Sequence, residues 1–120
     1  MDLFLIYSVF IAGVVCFQIA LVFGAPWGRL TQGGQIEGAL PWSRRFAAIA
    51  SIVLLCAMTL ALHSVDGGWP NWPSWTASAA VFISALSMFV NWITPSKPER
   101  MLWGPITTVM FILVVAIAYF

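Results

Sequence analysis

The chain has 120 residues, of which 62% are hydrophobic and 8% charged, with a net charge of +1. Soluble domains carry about 25% charged residues, so these few charges exclude an ordinary water-solvated surface and leave lipid as the main solvent. With so small a net charge, no basic run and no aromatic RNA-binding signature, nucleic acid is excluded as a partner.

The start, Met1-Asp2, turns apolar at once. It lacks the basic beginning and small-residue cleavage site of a signal peptide, so the first segment reads as a permanent span. That span covers about 3–23 and holds no Asp, Glu, Lys or Arg. It is long enough to cross roughly 30 Å of hydrocarbon before Gly24-Ala25-Pro26 ends it. Ser8, Ala12, Cys16, Ala20 and Gly24 recur every four residues, and small residues at that spacing let a second helix approach closely. Gln18 is the one strongly polar group inside the span. It needs a partner in hydrocarbon, either an interhelical hydrogen bond or a substrate.

The first loop carries Pro26-Trp27-Gly28-Arg29, Gly33-Gly34 and Glu37, and ends in Pro41-Trp42-Ser43-Arg44-Arg45. Gly33-Gly34 has neither the preceding strand nor the Lys-Ser/Thr of a phosphate loop. Ser43 is a candidate cap for a second span over about 45–63. His63 closes that span with Asp66 three residues on. A solvated or paired surface histidine and a proton-linked pair are the two readings. The second loop has no Lys or Arg and places Trp69, Trp72 and Trp75 among prolines. This reads as an interfacial aromatic belt, shared with Trp27, Trp42 and Trp103, or less simply as a cation-recognition site.

The third span covers about 75–93, with Ala77, Ala80, Ser84, Ser87 and Asn91 on one helical stripe that should face the bundle interior. Ser96-Lys97-Pro98-Glu99 is a capping box, with Ser96 accepting from the first turn and Glu99 reaching back. The fourth span therefore starts near Lys97 and runs over about 97–120, with a kink expected at Pro105. Cys16 and Cys56 lie mid-span and read as small buried side chains, not as a disulfide or zinc site. With one His and two such Cys, no metal site of the usual ligand count forms, and no cofactor is expected.

The expected fold is all-α: one four-helix transmembrane domain over 1–120, an antiparallel bundle. Arg29, Arg44, Arg45, Lys97 and Arg100 all lie in the first and third loops. The positive-inside rule makes those loops cytoplasmic and puts both termini outside. Pro26 to Glu37-x-x-Leu40-Pro41-Trp42 and Pro95 to Glu99-x-x-Leu102-Trp103 echo one another. Duplication of a hairpin and chance recurrence of short motifs are both open readings.

Gly24-x-Pro26-Trp27-Gly28, the later Gly33-Gly34 and Leu40-Pro41, and Asn91-x-x-Thr94-x-Ser96-x-x-Glu99-Arg100-x-x-Trp103-x-Pro105 resemble small, functionally uncharacterised four-span bacterial integral membrane proteins. The resemblance covers most of the chain. It implies a bacterial plasma membrane location and the four-helix architecture, and no particular activity.

No paired intramembrane carboxylates and no Ser/His/Asp or Cys/His set occur on plausible faces, so an enzyme is the least supported class. The favoured expectation is a non-enzymatic membrane protein that acts through self-association, or as a subunit beside another membrane protein, with the bilayer as its constant partner. The alternative is an oligomeric carrier or channel for a small molecule or ion. Its polar site would lie at the cytoplasmic mouth and comprise Gln18, Arg29, Glu37, Arg45, Asn91, Glu99 and Arg100. The plainer reading of those charges is that Arg45 and Arg100 pair with Glu99 or Glu37 and with lipid phosphates. A polar cavity behind Gln18 and Asn91 would favour transport, and a dry, packed bundle would oppose it.

Overall fold

The computed structural model describes residues 2–120, and among them the chain forms long helices and no strands. These are α1 (Leu3–Val22), α2 (Trp42–His63), α3 (Ser74–Ile93) and α4 (Lys97–Tyr119), each long and apolar enough to cross a membrane. Neighbours in sequence pack side by side, and α1 closes against α4. The result is an up-down-up-down bundle measuring 43 × 24 × 24 Å. The first and third loops therefore share one end, which holds every Lys and Arg; the second loop and both termini share the other.

The helix ends follow local chemistry. Asp2 starts α1 by accepting from the Phe4 N–H at 2.9 Å. The second helix begins three residues before the expected Arg45, and Ser43 does not cap it. Pro41 fixes the approach to the helix, and its carbonyl takes the N–H groups of Arg44 (2.9 Å) and Arg45 (3.0 Å). The fourth helix starts at Lys97 as the Ser96 signal predicts, and it runs unbroken through Pro105.

The central core joins Tyr7 and Ile11 of α1, Met58 and Leu62 of α2, Ala77 and Ala80 of α3, and Met110, Leu113 and Val114 of α4. A smaller cluster of Leu21, Leu40 and Ala48 sits beneath the first loop. The outer faces are apolar too: Val9, Val53 and Phe82 are 66%, 65% and 65% exposed. In water such faces would aggregate; in a bilayer they meet acyl chains.

The small residues divide between inside and outside. On α3, Ala77, Ala80 and Ser84 are buried as their spacing predicts, and Ser87 reaches the rim. On α1, Ala12 and Cys16 point outward, and Ser8, Ala20 and Gly24 are half-buried. The larger Tyr7, Ile11 and Leu21 take the inner face instead. Cys16 and Cys56 are both exposed free thiols, contrary to the expectation of burial, because each sits opposite its helix's inner face. One glycine sets a helix contact. A methyl at Gly104 of α4 would stand 3.0–3.1 Å from the Trp92 ring of α3. That ring donates from Nε1 to the Thr108 hydroxyl at 2.8 Å, so a flat aromatic lies on bare backbone and is pinned at its edge.

Candidate functional site

At the charged end the first loop folds back over the bundle as a roof. Two short helical turns, Gly28–Leu30 and Gln32–Gly34, bring it against the start of α4. The Gly33 N–H donates to Glu99 Oε2 at 3.0 Å, the Ser96 hydroxyl to the Arg29 carbonyl at 2.6 Å, and Trp103 Nε1 to the Leu30 carbonyl at 2.8 Å. Gly34 lies against the Ser96 side chain, where a Cβ would collide. The Phe17 ring stacks on Trp27 at 5.6 Å and meets Trp103 edge-on at 4.8 Å. Trp103 thus belongs to the roof; Trp42, Trp69 and Trp75 are exposed, as interfacial residues should be.

The capping box forms only by half. Ser96 Oγ accepts from the Glu99 N–H at 3.3 Å, as expected. Glu99 does not reach back to Ser96, whose N–H instead meets Thr94 Oγ1 at 3.3 Å. The roof offers Glu99 a better donor, and its side chain is 3% exposed.

Nor do the arginines pair with Glu99. Arg29 meets Glu37 at 3.4 Å in an exposed pair of little energetic weight. Arg45 donates to the carbonyls of Leu40 (2.7 Å) and Val22 (3.3 Å) and lies 4.7 Å over the Trp42 ring. Arg100 donates to the Thr94 carbonyl at 3.0 Å. Arg45 thus ties the first loop at Leu40 to the end of α1 at Val22, and Arg100 serves the carbonyl just past α3; at both helix ends the dipole favours a cation.

Beneath the roof lies a cavity of about 380 Å³, lined by all four helices. That volume suits a small organic molecule. Of the seven residues expected at the charged mouth, Gln18, Asn91 and Glu99 line it, and Arg29, Glu37, Arg45 and Arg100 do not. Ser84 and Thr107 add hydroxyls, and Tyr7 closes the far part. The lining residues that are also exposed are Leu54 of α2 and Ser87 and Val90 of α3. The mouth therefore lies between α2 and α3, on the face that lipid covers.

The polar groups of the lining differ in their partners. Tyr7 is fully buried, with the Thr59 side chain beside its hydroxyl and no surface of that hydroxyl open to the cavity. Asn91 donates to the Ser87 carbonyl at 2.7 Å. The Gln18 amide makes no such bond among the described residues, so the interhelical partner expected for it is not present. Tyr7 was the residue to find from sequence. It precedes Gln18 by eleven positions, three helical turns on one face, and its hydroxyl in an apolar segment was the available signal.

A second hollow, about 730 Å³, lies at the other end by Trp72, Trp75 and Tyr119. Three of its hydroxyls are matched: Ser64 donates to the Leu60 carbonyl (2.9 Å) and accepts from the Trp72 N–H (3.0 Å), and Tyr119 donates to Ser78 (3.0 Å). His63 nearby is held through Nδ1 by the Trp69 carbonyl, with the Phe4 ring at 5.2 Å, rather than by Asp66. No three His, Cys, Asp or Glu side chains among the described residues come together as a metal site.

Comparison of the chain with protein-family models, with curated proteins and with solved structures finds no match.

Proposed function

We propose that this multi-pass membrane protein binds a small lipophilic molecule inside its helix bundle and acts as a carrier or receptor without a chemical step. One observation carries the reading: a cavity among four apolar helices, its exposed lining toward lipid, is walled by polar side chains, of which the Gln18 amide has no hydrogen-bond partner among the described residues. Folded proteins pair nearly all buried polar groups, so a free amide on a cavity wall is a place for a ligand or water to bond. The location we propose is a bacterial plasma membrane, with the first and third loops cytoplasmic and both termini outside. The confinement of all five Lys and Arg to those loops supports it.

Native mass spectrometry of the protein ejected from nanodiscs tests the binding. Wild type should retain one small molecule per chain, and Ser84→Phe, which fills the cavity, should be bare. Equal occupancy of the two, or bare wild type, would remove the reading.

A second reading has its own support. The outward face of α1 presents Ala12 and Cys16, and a side chain added at Gly13 would meet nothing within 4 Å. Two copies could approach closely there. The same spectra give the copy number. Dimers in wild type that dissociate in Ala12→Leu would support self-association, and monomers throughout would oppose it.

A further inference from the structure

We infer that the ligand of this cavity is an amphiphilic organic cation, held by its ammonium group on Glu99 with its apolar body lying along the bundle axis. The inference rests on the binding role proposed above and assigns the charge and shape of the molecule.

The charge comes from Glu99. Its carboxyl is among the most buried polar groups of the chain, and it lines the cavity. One oxygen accepts from the Gly33 N–H. The other has no protein partner, and among the described residues no Lys, Arg or His lies within ion-pair distance. The nearby cations face elsewhere: Arg29 to Glu37, Arg44 to Gln35, and Arg45 and Arg100 to backbone carbonyls. The start of α4 favours a carboxylate through its dipole, and one amide N–H adds to this. Neither supplies the full counter-charge that a carboxylate out of water requires. A buried carboxylate at the membrane interface with no protein cation beside it is a place for a cation from outside the chain. The aromatic walls at this level, Phe17 and Trp103, are faces on which an ammonium group also rests favourably.

The shape comes from the lining. Eleven residues separate Gln18 from Tyr7 on α1 and Glu99 from Met110 on α4, about 16 Å of helix rise. The lining thus runs from a carboxylate under the roof, along mostly apolar walls, to Tyr7 and Met110 toward the other end. The mouth at Leu54, Ser87 and Val90 faces acyl chains. A molecule partitioned in the bilayer can enter sideways, its charged head travelling at the level of the charged loops and its tail in hydrocarbon.

The test uses the full chain in nanodiscs of neutral phosphatidylcholine, so that no surface charge biases the result. Binding is measured for three probes of one chain length: decyltrimethylammonium, decanol and decanoate. The ammonium should bind tightest, about tenfold above decanol, with decanoate weakest. Glu99→Gln keeps an acceptor for the Gly33 N–H and removes the charge. It should cost the ammonium that factor and leave decanol unchanged. Equal binding of ammonium and decanol by wild type, or equal response of both to Glu99→Gln, would overturn the cation assignment while leaving the binding site standing. Failure of all three probes to bind would instead remove the site itself. The ranking by wild type decides even if the variant does not fold.

Discussion

The two ends of the bundle solve the same problem differently. At the tryptophan end the bonds are mostly short-range: Ser64 to Trp72, His63 to Trp69, and Asn71 to Gly68 at 2.8 Å. Its large hollow holds no carboxylate, and the Ser64, Ser78 and Tyr119 hydroxyls there are matched. At the charged end the bonds span 66 to 73 residues of sequence and lock the first loop onto α4. Beneath that lock the smaller cavity holds the Gln18 amide without a partner and Glu99 without a cation. A buried charge left without a counter-charge on a cavity wall points to that cavity as the working part.

The contrast breaks or sharpens under substitution, read as thermal unfolding in detergent micelles. The largest effect should come from Gly28→Ala. Its methyl would strike the Ile36 carbonyl and stand 2.7 Å from that of Gly38, at a cost of about 2–4 kcal/mol. Its counterpart at the other end, Gly67→Ala, meets no atom within 4 Å and suffers only from its positive φ of 78°, about 1 kcal/mol. Equal losses at the two glycines would remove the claim that close backbone approach at Gly28 holds the roof; the tightly fitted glycine of the tryptophan end is Gly68, whose added Cβ would strike the His63 carbonyl.

Glu99→Ala comes next. It strands the Gly33 N–H beneath the roof and should cost about 1–3 kcal/mol, with Glu99→Gln restoring most of it. Gly104→Ala pushes the Trp92 ring off α4 and should cost about 1–2 kcal/mol, most visibly as a loss of α3–α4 packing. The smallest effect is Trp69→Ala. This ring is 74% exposed, so stability should move by no more than about 0.5 kcal/mol. A large loss there would mean that the tryptophan end braces the fold instead of sitting at the interface.

Much of the architecture was legible in the sequence because it depends on local chemistry. Sparse charge and length define the spans, Gly24 at a positive φ of 96° closes the first of them ahead of Pro26, and Ser96 marks the start of α4. The start of α2 was harder, since a proline carbonyl, not a side chain, receives its first N–H groups. The partners of Glu99, Arg45 and Arg100 were not legible. A charge run suggests ion pairs, but these groups answer backbone atoms brought near only by folding. Gln18 and Asn91 were visible as polar intrusions in apolar helices, and both reached the cavity. Tyr7 was overlooked because an aromatic ring in a span reads as core, and only packing places it beside the cavity. The outward turn of Ala12 and Cys16 was equally hidden, as a four-residue stripe does not say which way it faces.

The central claim is that bilayer molecules reach the interior between α2 and α3. A photoactivatable alkyl diazirine dissolved in the nanodisc bilayer, with adducts mapped to residues by tandem mass spectrometry, tests it most directly. The account predicts adducts on the buried cavity residues Tyr7, Ser84 and Met110 as well as on the lipid-facing Val9, Val53 and Phe82. Adducts confined to the lipid-facing residues would contradict it.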